Sequence, residues 1–174
     1  GIEHGNEEFR AKILDRKWKN KNIIECLKIP HKYNIQFSVN NITGFPTETK
    51  RLAFDTIELN RQFNSDNTSC SILVPFHGTE LHDLCVKKGY LDPNVICAVS
   101  NSGESLLNMP QWDKKDITRL RDVFAMYIKF PKNRWPEIKE AETNIELRET
   151  LREEFVKTYW SSSAAKIEDD IAEA

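Results

Sequence analysis

The stretch Ile35-Gln36-Phe37-Ser38-Val39-Asn40-Asn41-Ile42-Thr43-Gly44-Phe45-Pro46-Thr47-Glu48-Thr49 decides the fold of this chain. Ile35 to Val39 is β-prone and runs on through Asn40 to Thr43. Gly44-Phe45-Pro46 then stops the strand, because proline has no N–H for a ladder and glycine frees the backbone to turn. After Thr49 the period changes: Leu52, Phe54, Ile57 and Leu59, with Phe63 further on, fall mainly at helical spacing. A strand that hands over to a helix through a short turn is one βα unit.

The same alternation continues on both sides. Downstream, Ser69 to Val74 is a second β-branched and apolar run, ended by Pro75. Thr79 is placed to cap a helix carrying Leu81, Leu84, Cys85 and Val86, which Gly89 closes. Upstream, Gly1-Ile2-Glu3 reads as the last turn of an earlier strand. Asn6 would cap a helix whose first turn holds Glu7 and Glu8, where the dipole favours negative charge. Lys21 to Lys32 reads as the next helix, with Pro30 expected to bend or end it.

Residues 90–111 show little periodicity and read as a long loop. From Asp113 the pattern is helical, with a stripe of Ile117, Leu120, Val123, Phe124 and Tyr127. Phe130 to Pro136 interrupts it, and one charged helix is expected to continue to about Trp160. The fold class is therefore α/β with parallel strands, divided into βα units at 1–91, a loop and helical extension at 92–160, and a flexible tail at 161–174. In such folds the segments that follow the strand C-termini share one edge, and ligands bind there. Glu3 to Asn6, Gly44 to Glu48 and Pro75 to Thr79 are those segments.

The bulk composition narrows the function. Charged residues make up 30 % of the 174 positions, yet the formal net charge is only −2. No broad field draws in nucleic acid or an anionic membrane, and acidic neighbours follow the basic clusters Arg16-Lys17-Trp18-Lys19 and Lys129 to Arg134. No apolar run approaches the roughly 20 residues that span a bilayer. Cys26, Cys70, Cys85 and Cys97 form no CxxC pair and read as reduced thiols of a cytoplasmic protein. His77, His82 and Cys85 offer at most three zinc ligands with no fourth. The expectation is solvent-facing histidines, a buried thiol and no metal site.

Four segments, in order, resemble a known family. Gly1-Ile2-Glu3-His4-Gly5-Asn6-Glu7 is similar to the G-x-E-S-G-N segment at the fourth strand of radical S-adenosylmethionine (SAM) barrels, and Ile13-Leu14-Asp15-Arg16 to the arginine-bearing helix that follows it. Asn41 to Thr49 resembles the fifth-strand I-x-G-x-P-x-E-T motif, and Pro75-Phe76-His77-Gly78-Thr79-Glu80-Leu81 the sixth-strand P-x-x-G-T-x-L motif. His4 stands where serine is usual, and Asn40 where a small residue often precedes the isoleucine. The resemblance covers residues 1–91. The later helices, with Phe130-Pro131-Lys132 and Trp135, resemble extensions of cobalamin-binding-type members.

The resemblance implies the C-terminal part of a partial TIM-type barrel. It implies a parent enzyme in which a [4Fe-4S] cluster on a CxxxCxxC loop reductively cleaves SAM to methionine and a 5′-deoxyadenosyl radical. No such cysteine triplet occurs here, so the cluster ligands, with the first strands, would belong to a missing N-terminal part, and the chain alone would be inactive. Whether the parent also uses cobalamin is not readable from this chain, and the substrate has no readable code. The implied SAM-binding set is Glu3, Arg16, Asn40, Ile42, Gly44, Pro75 and Phe76. Glu3 would accept from the ribose hydroxyls or ammonium, Arg16 would clamp the carboxylate, and Ile42 and Phe76 would pack on the adenine.

Each residue also has a plainer reading. Arg16 serves equally as an exposed helix arginine, Ile42 and Phe76 as core, and Glu48 as dipole complement in a first helical turn. Acidic residues at three helix starts, Glu7, Glu48 and Glu80, argue against phosphate there. The competing function is a non-catalytic interaction module that keeps the βα scaffold and docks a partner through Trp112 to Trp160.

Overall fold

The computed structural model describes residues 1–97 and 103–160. Part of the expected 90–111 loop and the whole expected tail, 161–174, lie outside the described residues. Strands β1 (Ser38–Thr43) and β2 (Asn67–Ile72) pair in parallel, from Ser38 opposite Asn67 to Thr43 opposite Ile72. Glu3 adds a parallel bridge to Asn41 on the other side of β1. The Ile2 amide donates to the Asn40 carbonyl at 3.1 Å, and the Ile42 amide to the Glu3 carbonyl at 2.9 Å. Three consecutive strand ends thus lie side by side, as the alternation implied, in a mixed α/β fold with a small parallel sheet.

Helices α1 (Glu7–Leu14) and α2 (Asn20–Lys32) lead into β1, α3 (Lys50–Asn60) connects β1 to β2, and α4 (Glu80–Lys87) follows β2. The caps form as their residue types dictate. Asn6 accepts from the Phe9 amide, Thr49 from the Leu52 amide and Thr79 from the His82 amide. Gly89, at φ +70°, ends α4. Helix α2 ends at Lys32, the expected bound, and runs through Pro30. The proline stands in the last turn, and the Tyr33 amide still reaches the Ile29 carbonyl at 3.3 Å.

Beyond the loop come α5 (Lys114–Lys129), a 3-10 turn at Lys132–Arg134, α6 (Trp135–Ala141), α7 (Ile145–Phe155) and a π-turn at Val156–Trp160. The single charged helix expected after Pro136 is two helices. Asn144 breaks the run and caps α7 by accepting from the Leu147 amide at 3.1 Å. The α5 stripe is buried as expected: Ile117, Leu120, Val123, Phe124 and Tyr127 are each at most 2 % exposed.

That stripe packs against α3 and β2, so one apolar core runs from Phe9 through Phe45 and Ile57 to Ile138 and Leu151. A smaller core of Ile2, Val39, Leu59 and Phe63 lies under α2. Polar ties fasten the two halves. Arg61 donates to the carbonyls of Tyr127, Ile128 and Phe130 at 2.7–2.8 Å, and Glu142 receives both Lys50 and the Tyr127 hydroxyl. Burial, reinforced by that bond to Glu142, pushes the Tyr127 pKa up. Among the described residues, no helix is long and apolar enough to cross a membrane.

The close approach of the first strand end to α3 depends on Gly5. A Cβ there would meet the Asp55 carbonyl oxygen and the Thr56 Cα at 2.4 Å, both backbone atoms that cannot swing away. Gly5→Ala is therefore expected to cost about 1–3 kcal/mol or more through overpacking. Urea denaturation with an unchanged m-value checks it.

Candidate functional site at the strand ends

Where the three strand ends meet, a cavity of about 390 Å³ opens. Glu3 and Arg16 form one side, Ile42, Phe45, Ile72 and Leu73 line it from the sheet, and Phe76 and Leu81 close the other side. Arg16 Nη1 donates to Glu3 Oε1 at 3.2 Å, and also to the Gly1 carbonyl at 3.3 Å. The two side chains are 36 % and 19 % exposed. A screened pair of that kind contributes about 0–1 kcal/mol to the fold. Both charges therefore remain available to a ligand.

The backbone here is held in sparsely populated conformations. Glu3 has φ +61° and Thr47 has φ +70°, although neither is glycine. Gly44, at φ +83°, takes the third such position, and a Cβ on it would press on Ile117 Cγ2 at 3.1 Å. Strained residues at adjacent strand ends are a common attribute of functional sites.

Glu48 holds these turns together. It is not the dipole complement in a helical first turn that its place in the sequence suggested. It precedes the cap Thr49, is fully buried, and bends back so that Oε2 accepts from the amides of Gly44 at 2.6 Å and Phe45 at 2.9 Å. Its Oε1 lies 3.2 Å from Nε2 of His4, which is also fully buried. Because the Asn6 amide donates to His4 Nδ1 at 3.1 Å, neutral His4 carries its proton on Nε2 and donates to Glu48. Gln111 covers this corner by donating to the Glu48 carbonyl at 3.0 Å.

Of the residues implied by motif, Glu3, Arg16, Ile42 and Phe76 line the cavity together. Gly44 is buried beside it at the turn, and Pro75 is buried just before Phe76. Asn40 is exposed two residues before Ile42, and its Oδ1 accepts from the Ser69 hydroxyl at 2.8 Å rather than lining the cavity. The sequence reading missed the His4–Glu48 pair and the fully buried Arg10. The only signal for the former was the histidine standing in a serine position.

His82 is buried rather than solvent-facing, with its ring 4.4 Å from the exposed ring of His77. Cys85 is buried, and burial pushes its pKa up to about 11. Among the described residues, no group of three or more His, Cys, Asp or Glu is placed to hold a metal ion. A second cleft of about 450 Å³ lies between α2 and the start of β1, lined by Trp18, Ile23 and Leu27. It lies away from the strand C-termini and no charged side chain lines it, so the charged pair, not the volume, marks the candidate site.

No family model matches the chain. Over 83 residues, 45 % of this chain, it is 32 % identical to the tRNA-2-methylthio-N(6)-dimethylallyladenosine synthase of Halalkalibacterium halodurans, a radical SAM enzyme. The matched part spans 15 % of that protein's length. The partial match supports the radical SAM resemblance only weakly.

Glu48→Gln leaves the Gly44 and Phe45 amides and the His4 imidazole competing for one oxygen, and is expected to cost about 1–3 kcal/mol in thermal or urea unfolding. Long-range 15N–1H NMR should find neutral His4 as the Nε2–H tautomer; an Nδ1–H signal would contradict the network. At pH 8.5 iodoacetamide should label exposed Cys26 and spare Cys85. Between the roughly pH 8.5 at which a free thiol ionises and about pH 11, only the unfolded chain loses the Cys85 proton, so this thiol makes stability fall as pH rises.

Proposed function

We propose that this chain forms the SAM-binding strand ends of a radical SAM enzyme, within the C-terminal part of a partial TIM-type barrel. The observation that carries the reading is the Glu3–Arg16 pair at the mouth of an apolar cavity of about 390 Å³. An amino-acid head group is a cation and an anion on one carbon, and an acid beside a guanidinium complements it. The floor of Ile42, Ile72 and Leu73 with Phe76 at the rim offers an apolar surface to a nucleoside base.

The residues present fit SAM and do not fit the iron–sulfur cluster. Cys26 is exposed, Cys70 and Cys97 are half-buried and Cys85 is buried, and nowhere in the chain do three cysteines occur at CxxxCxxC spacing. The cluster would supply the electron that cleaves SAM, and its ligands would come from another part of the same protein. What these residues do is bind and orient. Arg16 holds the ligand carboxylate, Glu3 accepts from its ammonium or ribose hydroxyls, and the Glu48-braced turns keep both in place.

This reading accounts for more than the interaction module does. Of the extension Trp112 to Trp160 through which such a module would dock, the apolar α5 stripe is taken up by the chain's own core. The proposal stops at SAM and does not extend to the tRNA in the relative's name, because a formal net charge of −2 supplies no field for a polyanion. Titration calorimetry tests it. Arg16→Ala should weaken SAM binding by about 1.5–3 kcal/mol, roughly 10- to 150-fold, through loss of a charge-assisted hydrogen bond. Unchanged affinity would remove Arg16 from the site, and absence of binding to the unsubstituted protein would retire the proposal.

A further inference from the structure

Arg10 heads the largest fully buried side chains of the protein, at 0 % exposure. Its guanidinium bonds go to no carboxylate. Nη1 donates to the His4 carbonyl at 2.7 Å and to Asn20 Oδ1 at 2.9 Å, Nη2 donates to the Trp18 carbonyl at 2.6 Å, and Nε has no partner among the described residues. The Glu7 carboxylate one turn earlier attracts Arg10 but does not bond to it. Burying a charge that no carboxylate bonds directly is expensive, and an apolar residue of similar volume would often fill such a space more stably. What the guanidinium does that an apolar residue cannot is join three separate segments with one rigid fork.

Those segments are the ones that build the charged side of the cavity. His4 follows Glu3 at the strand end. Trp18 belongs to the Asp15–Lys19 connection between α1 and α2, which carries Arg16. Asn20 starts α2, and its Nδ2 donates back to the Gly5 carbonyl at 2.8 Å. The connection has no regular structure and turns sharply at Asp15, at φ +49°. Its own ion pairs, Lys17–Asp15 and Lys19–Glu7, are largely exposed and restrain it little. The Arg16 amide reaches the Arg10 carbonyl at a long 3.4 Å, and its guanidinium lies 6.0 Å from the Trp18 ring centroid. The fork from Arg10 thus ties the loop that carries Arg16 to the turn that carries Glu3, beside the Asn20–Gly5 and Asn20–Glu7 bonds.

We propose that Arg10 is a positioning residue, whose buried fork sets Arg16 against Glu3 so that the two charges meet one ligand head group together. The proposal rests on the SAM reading of the same cavity. It assigns Arg10 an effect on affinity that passes through Arg16, not one that passes only through the stability of the fold. Lysine cannot replace it, because a single ammonium cannot reach the three acceptors in fork geometry.

A double-mutant cycle in the intact protein tests this, with SAM affinity measured by titration calorimetry. Arg10→Lys should weaken binding roughly tenfold, and should change it by less than about twofold when Arg16→Ala is already present, because coupled residues are not additive. The Arg16 Nε–Hε NMR resonance, which needs no ligand, should shift or broaden in Arg10→Lys. Wild-type affinity in Arg10→Lys, or full additivity with Arg16→Ala, overturns the proposal. If the unsubstituted protein binds no SAM, the functional reading falls and the resonance alone decides: unchanged, it overturns the role of Arg10; shifted, it upholds it. If Arg10→Lys does not fold, Asn20→Ala, which removes one acceptor of the fork, takes its place in the same cycle under the same criteria.

Discussion

The Glu48 carboxylate lies fully buried among the amides of Gly44 and Phe45 and the imidazole of His4, and these bonds set the shape of the strand ends around the cavity. A buried carboxylate is tolerated only when its oxygens are satisfied by donors held in place. The donors come from two strand ends that are far apart in the chain, since His4 and Glu48 are 44 residues apart. One side chain therefore fixes the turn after β1 and the turn after Glu3 relative to each other. The left-handed conformations of Glu3 and Thr47 persist because this network and the packing over it outweigh their local cost, while Gly44 takes its positive φ freely.

The C-terminal helices share in this corner. Ile117 of α5 packs against Gly44, Gln111 donates to the carbonyl of Glu48, and Arg61 ties α3 to the end of α5. Glu142 adds a third connection by receiving Lys50 from the start of α3 and the hydroxyl of Tyr127. The extension thus shares one core with the βα units and supports the strand-end turns from behind. Disturbing α5 would be felt at the cavity, because close-packed interiors transmit strain instead of absorbing it.

Rigidity and availability are divided between neighbouring residues. His4, Arg10 and Glu48 are fully buried, and their bonds stay within the protein. Glu3 and Arg16 are partly exposed, and their mutual attraction is weak enough for a ligand to compete with it. Preorganised charge at a cavity mouth, supported from below by satisfied buried groups, is what recognition of a zwitterion requires.

The sequence by itself determined the features that depend on neighbours a few residues away. Asn6, Thr49 and Thr79 cap their helices because each oxygen needs only an amide three residues on, and Gly44 and Gly89 stop their elements because no Cβ resists a positive φ. The order of strand ends, and the meeting of Glu3, Arg16, Ile42 and Phe76 on one edge, followed from the βα alternation and from motifs at those ends. Only the tertiary structure decided what lies buried. Glu48 left the helix start for the strand turn, His82 turned inward, Asn40 bonded across the sheet to Ser69, and Arg10 became a buried fork beside an arginine the motifs had singled out. A charged side chain is read from sequence as solvated by default. The exceptions depend on donors and acceptors that chain folding brings together, and no local pattern encodes that distance.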